Sequence, residues 1–157
     1  MPDYRKGNPY QSLLQSSLKD VGVTVSFDDF PAGLFPLWQA CKRHPNVSVI
    51  HIHWIVELIR HIVWSSNPVI FRLKCFLLVL DCYLLKLRGV KLVWTIHNKL
   101  AHEGFEPQRE TYIRGRLAKA VSRIIVHSQE ALEVVSDLYK VDIKNKTQVI
   151  FHGNYIG

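Results

Sequence analysis

Short apolar runs, each followed by a segment of helical length, constrain this chain more than any other feature. Val23–Ser26, 47–54 (VSVIHIHW), 91–96 (KLVWTI), 123–128 (RIIVHS) and 147–153 (TQVIFHG) are rich in β-branched and apolar residues and read as strands. The segments between them read as helices. Asn8 is placed to cap the first, Pro9 sits in its first turn, and Leu13, Leu14 and Leu18 share one face until Gly22. Further helices are predicted over 34–43, 67–88, 107–121 and Gln129–Tyr139. Strands joined through helices run parallel, with right-handed crossovers, so the expected fold is α/β: a parallel sheet with helices on both faces. A doubly wound domain normally opens with a strand before its first helix, whereas MPDYRKGNP begins in what would be the following loop. The first strand is therefore expected to be missing.

The run at 91–96, with Thr95 among Leu92, Val93, Trp94 and Ile96, reads as a strand covered on both faces. Open α/β sheets bind ligands at the carboxyl ends of their strands. Here four strands finish in polar clusters: His53 and Trp54, His97 and Asn98, His127 and Ser128, and His152, Gly153 and Asn154. Parallel strands carry these ends to one edge, where one cleft can gather them. Each also has a structural explanation, since a lone histidine is usually a surface or core residue and Ser128 is placed to cap the helix at 129. Recurrence at four successive ends favours function.

Other chemistries fit less well. His51 and His53 share a face and His97 and His102 stand five apart, but no H-E-x-x-H occurs, so no metal is expected. Ser128 lacks the G-x-S-x-G turn of a hydrolase nucleophile. Twenty Lys and Arg against thirteen Asp and Glu give +7, which favours anionic partners such as phosphates or phospholipid headgroups. Arg109, Arg114, Arg116, Lys119 and Arg123 read as a solvated helix face, and no nucleic-acid-binding signature accompanies them. Cys41, Cys75 and Cys82 read as buried thiols in a reducing compartment, the two N-x-S/T triplets as chance matches, and the lack of an opening signal peptide points to the cytoplasm. Charges interrupt the apolar segment 67–88 so that its longest uninterrupted run is the six residues Cys75–Leu80, where a spanning helix needs about twenty residues. It is expected to pack on the sheet, with contact to a membrane surface as the second reading.

Taken in order, RKGNPYQSLLQSSLKDVGV, VIHIHW, RGVKLVWTIHNKLAHE, RIIVHSQEALEVV and VIFHGNY resemble the N-terminal half of bacterial two-domain GT-B glycosyltransferases of the retaining family 4 type. The resemblance implies a Rossmann-like acceptor-side domain over residues 1–151, with 152–157 opening the interdomain linker. It implies that His97 lies beside the transferred sugar and acceptor hydroxyl, as the catalytic residue, with Asn98 and Glu103 shaping its loop. Arg5, Lys6, Gly7 and Asn8 match the loop that approaches the donor phosphates and acceptor. Ser128, His53 and Trp54 would line the acceptor side, Trp54 by stacking on a sugar ring, and His152, Gly153 and Asn154 complete the binding set. The family's C-terminal domain, with its E-x7-E glutamates, has no counterpart in this sequence, so this fragment alone is expected to be inactive.

The reaction implied is transfer of a hexose, with retention, from a nucleotide sugar to a lipid-linked or polysaccharide acceptor. It uses no cofactor beyond the donor, which the other domain would mainly bind, and it takes place in the cytoplasm or at the inner face of the cell membrane. Two other readings stand beside it: a non-catalytic module that binds a glycan or phosphate at the same edge, and a metal-dependent hydrolase using His97 and His102.

Overall fold

The computed structural model describes residues 9–31, 33–100 and 106–151. Helix α1 (Pro9–Asp20) leads through an extended segment to α2 (Pro36–Arg43) and strand β1 (Val49–Ile52). Next come α3 (Ile55–Leu58), which runs into a π-helical turn over Ile59–Val63, and the long α4 (Pro68–Leu87). Strand β2 (Lys91–Thr95), α5 (Pro107–Ala120), β3 (Arg123–Val126), α6 (Gln129–Tyr139) and β4 (Thr147–Val149) complete the order. The four strands form one parallel sheet in the order β1-β2-β3-β4, with Ile52 beside Trp94 and Trp94 beside Ile124. The fold is α/β and Rossmann-like.

Because the strands succeed one another in chain order, right-handed crossovers place α4, α5 and α6 on one face of the sheet. Ile50, Ile52, Leu92, Trp94, Ile124 and Val126 are buried on that face, and the Trp94 ring stacks on Tyr139 of α6 at 6.1 Å. The opposite face, with His51, Val93 and Ile125, is only half-buried. Cover is thus unequal, where the unbroken apolar run at 91–96 predicted both faces closed. α1 reaches the opposite face through Tyr10, whose ring meets His53 and His97 edge-on.

The strand predicted at 23–26 does not form. A strand needs a partner for its backbone, and among the described residues β1 is the edge of the sheet on that side. The segment is instead held by the Val23 N–H donating to the Leu18 carbonyl (2.8 Å) and by side chains: Gln15 donates to the Val25 carbonyl (3.3 Å) and Arg43 to the Asp28 carboxylate (2.9 Å). A groove of about 630 Å³ separates residues 23–30 from the edge of β1. The strand predicted over 47–54 is also shorter, since the chain turns at His53 into a helix that the predicted pattern does not include. Its buried Ile55, Leu58, Ile59 and Val63 have helical spacing.

Helix α4 forms where predicted. The Asn67 side chain caps it, accepting from the Val69 and Ile70 N–H groups, with Pro68 in the first turn. No described helix is long and apolar enough to cross a membrane. Cys41, Cys75 and Cys82 are free and buried, and burial pushes the Cys75 and Cys82 thiols up to about 12. Asp81 of α4 is fully buried and accepts from the Leu37 (2.8 Å) and Trp38 (3.0 Å) N–H groups. It serves α2 as a cap supplied from another helix, because Phe35 at the N-cap has no side-chain acceptor. Burial raises its carboxyl to about 6.

The predicted solvated basic face on α5 is corrected at Arg114. That side chain is 3% exposed and pairs with Glu110, itself 2% exposed, at 2.7 Å. Buried charges persist only when paired and hydrogen-bonded, so Arg114 is part of the core. Gly115 beside it lets α5 approach the end of α6: a Cβ there would lie 2.8 Å from the Tyr139 carbonyl oxygen.

Candidate functional site

Alternation places His51 and His53 on the same face of β1, the half-buried one, with Val93 and Thr95 facing the same way by register. Three residues beyond Trp94 and Ile124, which are paired, stand His97 and His127, again on that face and at one level. The sheet therefore delivers three imidazoles from three successive strand ends to one row. His53 Nδ1 lies 3.3 Å from His97 Nε2, and His97 Nδ1 lies 3.3 Å from His127 Nε2. His127 Nδ1 lies 2.9 Å from the Ile150 carbonyl oxygen. His51 stands beneath the row, its ring 4.0 Å from that of His53 and its Nε2 2.8 Å from the Thr95 hydroxyl.

Aromatic rings close over this row. Trp54 stacks on His97 with centroids 5.1 Å apart and planes 14° apart, and Tyr10 sits edge-on to His53, Trp54 and His97. Burial lowers His51 to about 4 and His53 to about 2, with the neighbouring His51 and His97 adding to the effect at His53. Both are therefore neutral at physiological pH. His53 is 1% exposed, and its Nε2 has no hydrogen-bond partner among the described residues.

The loop that carries His97 is anchored from below. Arg114 donates to the Asn98 carbonyl oxygen at 3.1 Å and the Tyr139 hydroxyl donates to the Lys99 carbonyl oxygen at 2.7 Å. Arg114 also reaches the Tyr139 oxygen at 3.4 Å. One buried network thus holds two successive backbone carbonyls just after β2.

Of the residues singled out from sequence, His53, Trp54 and His97 come together. Asn98 belongs to the same loop, but its side chain is exposed. Ser128 caps α6 through its hydroxyl, which accepts from Ala131 N–H at 3.0 Å. Trp54 gives one of its ring faces to His97. Arg5, Lys6, Gly7, Asn8, Glu103, His152, Gly153 and Asn154 lie outside the described residues, as does His102. Among the described residues no group of three metal-ligating side chains is arranged to hold an ion.

Tyr10 and Tyr139 carry no local motif that singles them out, and only the packing of α1, α5 and α6 reveals them and the inward turn of Arg114; His127, placed at a strand end by the sequence, is brought into the row by the strand register. The row is rich in imidazole nitrogens and ring faces. Such a surface suits a ligand with hydroxyl groups and apolar C–H faces. No family model matches the chain, and no curated protein is similar to it at a significant level.

Proposed function

We propose that this chain is the acceptor-side half of a retaining glycosyltransferase of the GT-B, family 4 type. The observation that supports this reading best is the meeting of His53, Trp54 and His97 at the carboxyl ends of neighbouring parallel strands, on the face away from α4–α6. In this reading an acceptor sugar lies against the row, with His97 nearest the reacting hydroxyl. The donor phosphates are met by Arg5, Lys6, Gly7 and Asn8 and by a second, nucleotide-binding domain. Negative charge that develops on the departing phosphate is stabilised by positive groups and backbone N–H donors, and the transfer needs no metal.

A lipid-linked acceptor on an anionic membrane suits the exposed side of α4. Val69, Leu73, Phe76, Tyr83 and Leu87 are exposed and fall within one narrow stripe at 100° per residue, and the net charge is +7. The reading therefore includes peripheral attachment at the inner face of the cell membrane.

The test is a titration of the labelled chain with neutral oligosaccharides and, separately, with nucleotide sugars, monitored by NMR. Saccharides are expected to shift the Trp54 indole and His97 signals, the response is lost in Trp54→Ala, and nucleotide sugars alone add little. Tight binding of phosphates with no saccharide response would replace the transferase by a phosphate-binding module. In an enzyme that carries both halves, His97→Ala is expected to reduce transfer by orders of magnitude with the thermal midpoint unchanged. Near-normal transfer removes His97 from the reaction.

A further inference from the structure

The three imidazoles of the row are joined end to end, so their protonation is not independent. A neutral imidazole has one N–H donor and one bare nitrogen acceptor. A carbonyl oxygen only accepts. The contact between His127 Nδ1 and the Ile150 oxygen therefore requires the His127 proton on Nδ1, which leaves Nε2 of His127 as an acceptor. His97 must then donate to it from Nδ1, which leaves His97 Nε2 as an acceptor in turn. His53 must donate from Nδ1 to His97, and its remaining lone pair is on Nε2, a buried atom with no hydrogen-bond partner among the described residues. One backbone carbonyl sets the polarity of all three rings.

We propose that His127 is a positioning residue: held by the Ile150 carbonyl, it dictates the tautomer of His97 and, through it, that of His53. The row then runs in one direction, from a bare acceptor at its buried end to a backbone anchor at its more exposed end. The opposite polarity would set the lone pair of His127 Nδ1 against the Ile150 oxygen at 2.9 Å, two acceptors in contact. Free histidine favours the Nε2–H form, so three Nδ1–H rings in a row would depart from the intrinsic preference. This polarity fixes the donor and acceptor pattern of the row: its buried end carries a lone pair and no hydrogen. The inference deepens the proposed function in treating this row as the ligand-facing site, but the tautomers themselves are independent of any ligand.

The experiment is the two-bond 1H–15N imidazole spectrum of the ligand-free 157-residue chain at about pH 8, above the ordinary histidine pKa of about 6.5. Single His→Gln variants assign the signals. His53, His97 and His127 are expected as Nδ1–H tautomers, and in His127→Phe the His97 and His53 signals move to the Nε2–H form while His51 is unchanged. An Nε2–H tautomer at His97 or His53 in the unaltered protein overturns the proposal, as does a folded His127→Phe that leaves both unchanged. If His127→Phe does not fold, the unaltered protein's spectrum decides alone. Saccharide binding that fails while the three Nδ1–H signals are present would count against the proposed function and leave the positioning role standing.

Discussion

Two buried polar clusters lie a few residues apart in this molecule and are built on opposite principles. Under the loop after β2, Arg114, Glu110 and Tyr139 pair donors with acceptors and bind the Asn98 and Lys99 carbonyls. Above it, burial keeps His51 and His53 neutral, and the row ends in His53 Nε2, which has no hydrogen-bond partner among the described residues. A satisfied network rigidifies; an unsatisfied one costs stability unless something else requires it. The first cluster reads as the support and the second as the site.

The largest effect is expected from breaking the support. Arg114→Ala removes the guanidinium that pairs with buried Glu110 and holds the Asn98 carbonyl, and denaturant unfolding should show a loss of about 3–5 kcal/mol. The double variant Arg114→Met with Glu110→Leu, which removes both charges, is expected to recover most of that stability but not the saccharide response, because the Asn98 carbonyl has lost its donor. Recovery of both would show that Arg114 does not position the loop.

Next comes Asp81, a satisfied group outside either cluster. Asp81→Ala uncovers two N–H donors at the start of α2 and is expected to cost about 2 kcal/mol, while Asp81→Asn keeps an acceptor and costs less. Equal losses in the two variants would mean that the cap is not what Asp81 supplies.

The row itself should reveal its strain through pH. His51 and His53 are held at about 4 and about 2, below the ordinary 6.5, so between pH 6.5 and 4 the unfolded chain takes up protons that the folded chain refuses. Stability is therefore full above pH 6.5 and is lost as pH falls through this window. Asp81, raised to about 6, acts in the opposite sense, since the folded state holds its proton more tightly between pH 3.8 and 6. With two histidines against one aspartate, the net slope is roughly 1 kcal/mol per pH unit, falling toward acid. His53→Phe removes one of the two histidine contributions and should flatten the profile, making the variant more stable than the parent at pH 5 by roughly 1–2 kcal/mol. An unchanged slope would show that His53 titrates normally.

The smallest effect concerns Ser128, at the start of α6. As a cap alone, Ser128→Ala costs about 1 kcal/mol and leaves saccharide binding intact. Loss of binding at unchanged stability would return Ser128 to the site.

The crossover helices and the three longer strands were legible because periodicity and punctuation agree there: Asn67-Pro68 opens α4, Gly89 closes it, and Ser128 opens α6. The extended segment at 23–26 has the residues of a strand, but a strand exists only through its neighbour, and that neighbour is not local in sequence. Arg114 shows the same limit in a side chain. Its position among Arg109, Arg116 and Lys119 reads as a charged surface, and only the approach of α6 at Gly115, with Tyr139 beside it, turns it inward.

By itself the sequence determined the α/β class, the parallel direction of the strands and the placing of histidines at their carboxyl ends, because these depend on local spacing and on the handedness of the crossover. Tertiary structure alone decided which strand ends meet, which face is left half-open and which protons the imidazoles carry. Those depend on strand register and on the carbonyl of Ile150, 23 residues away from the ring it orients.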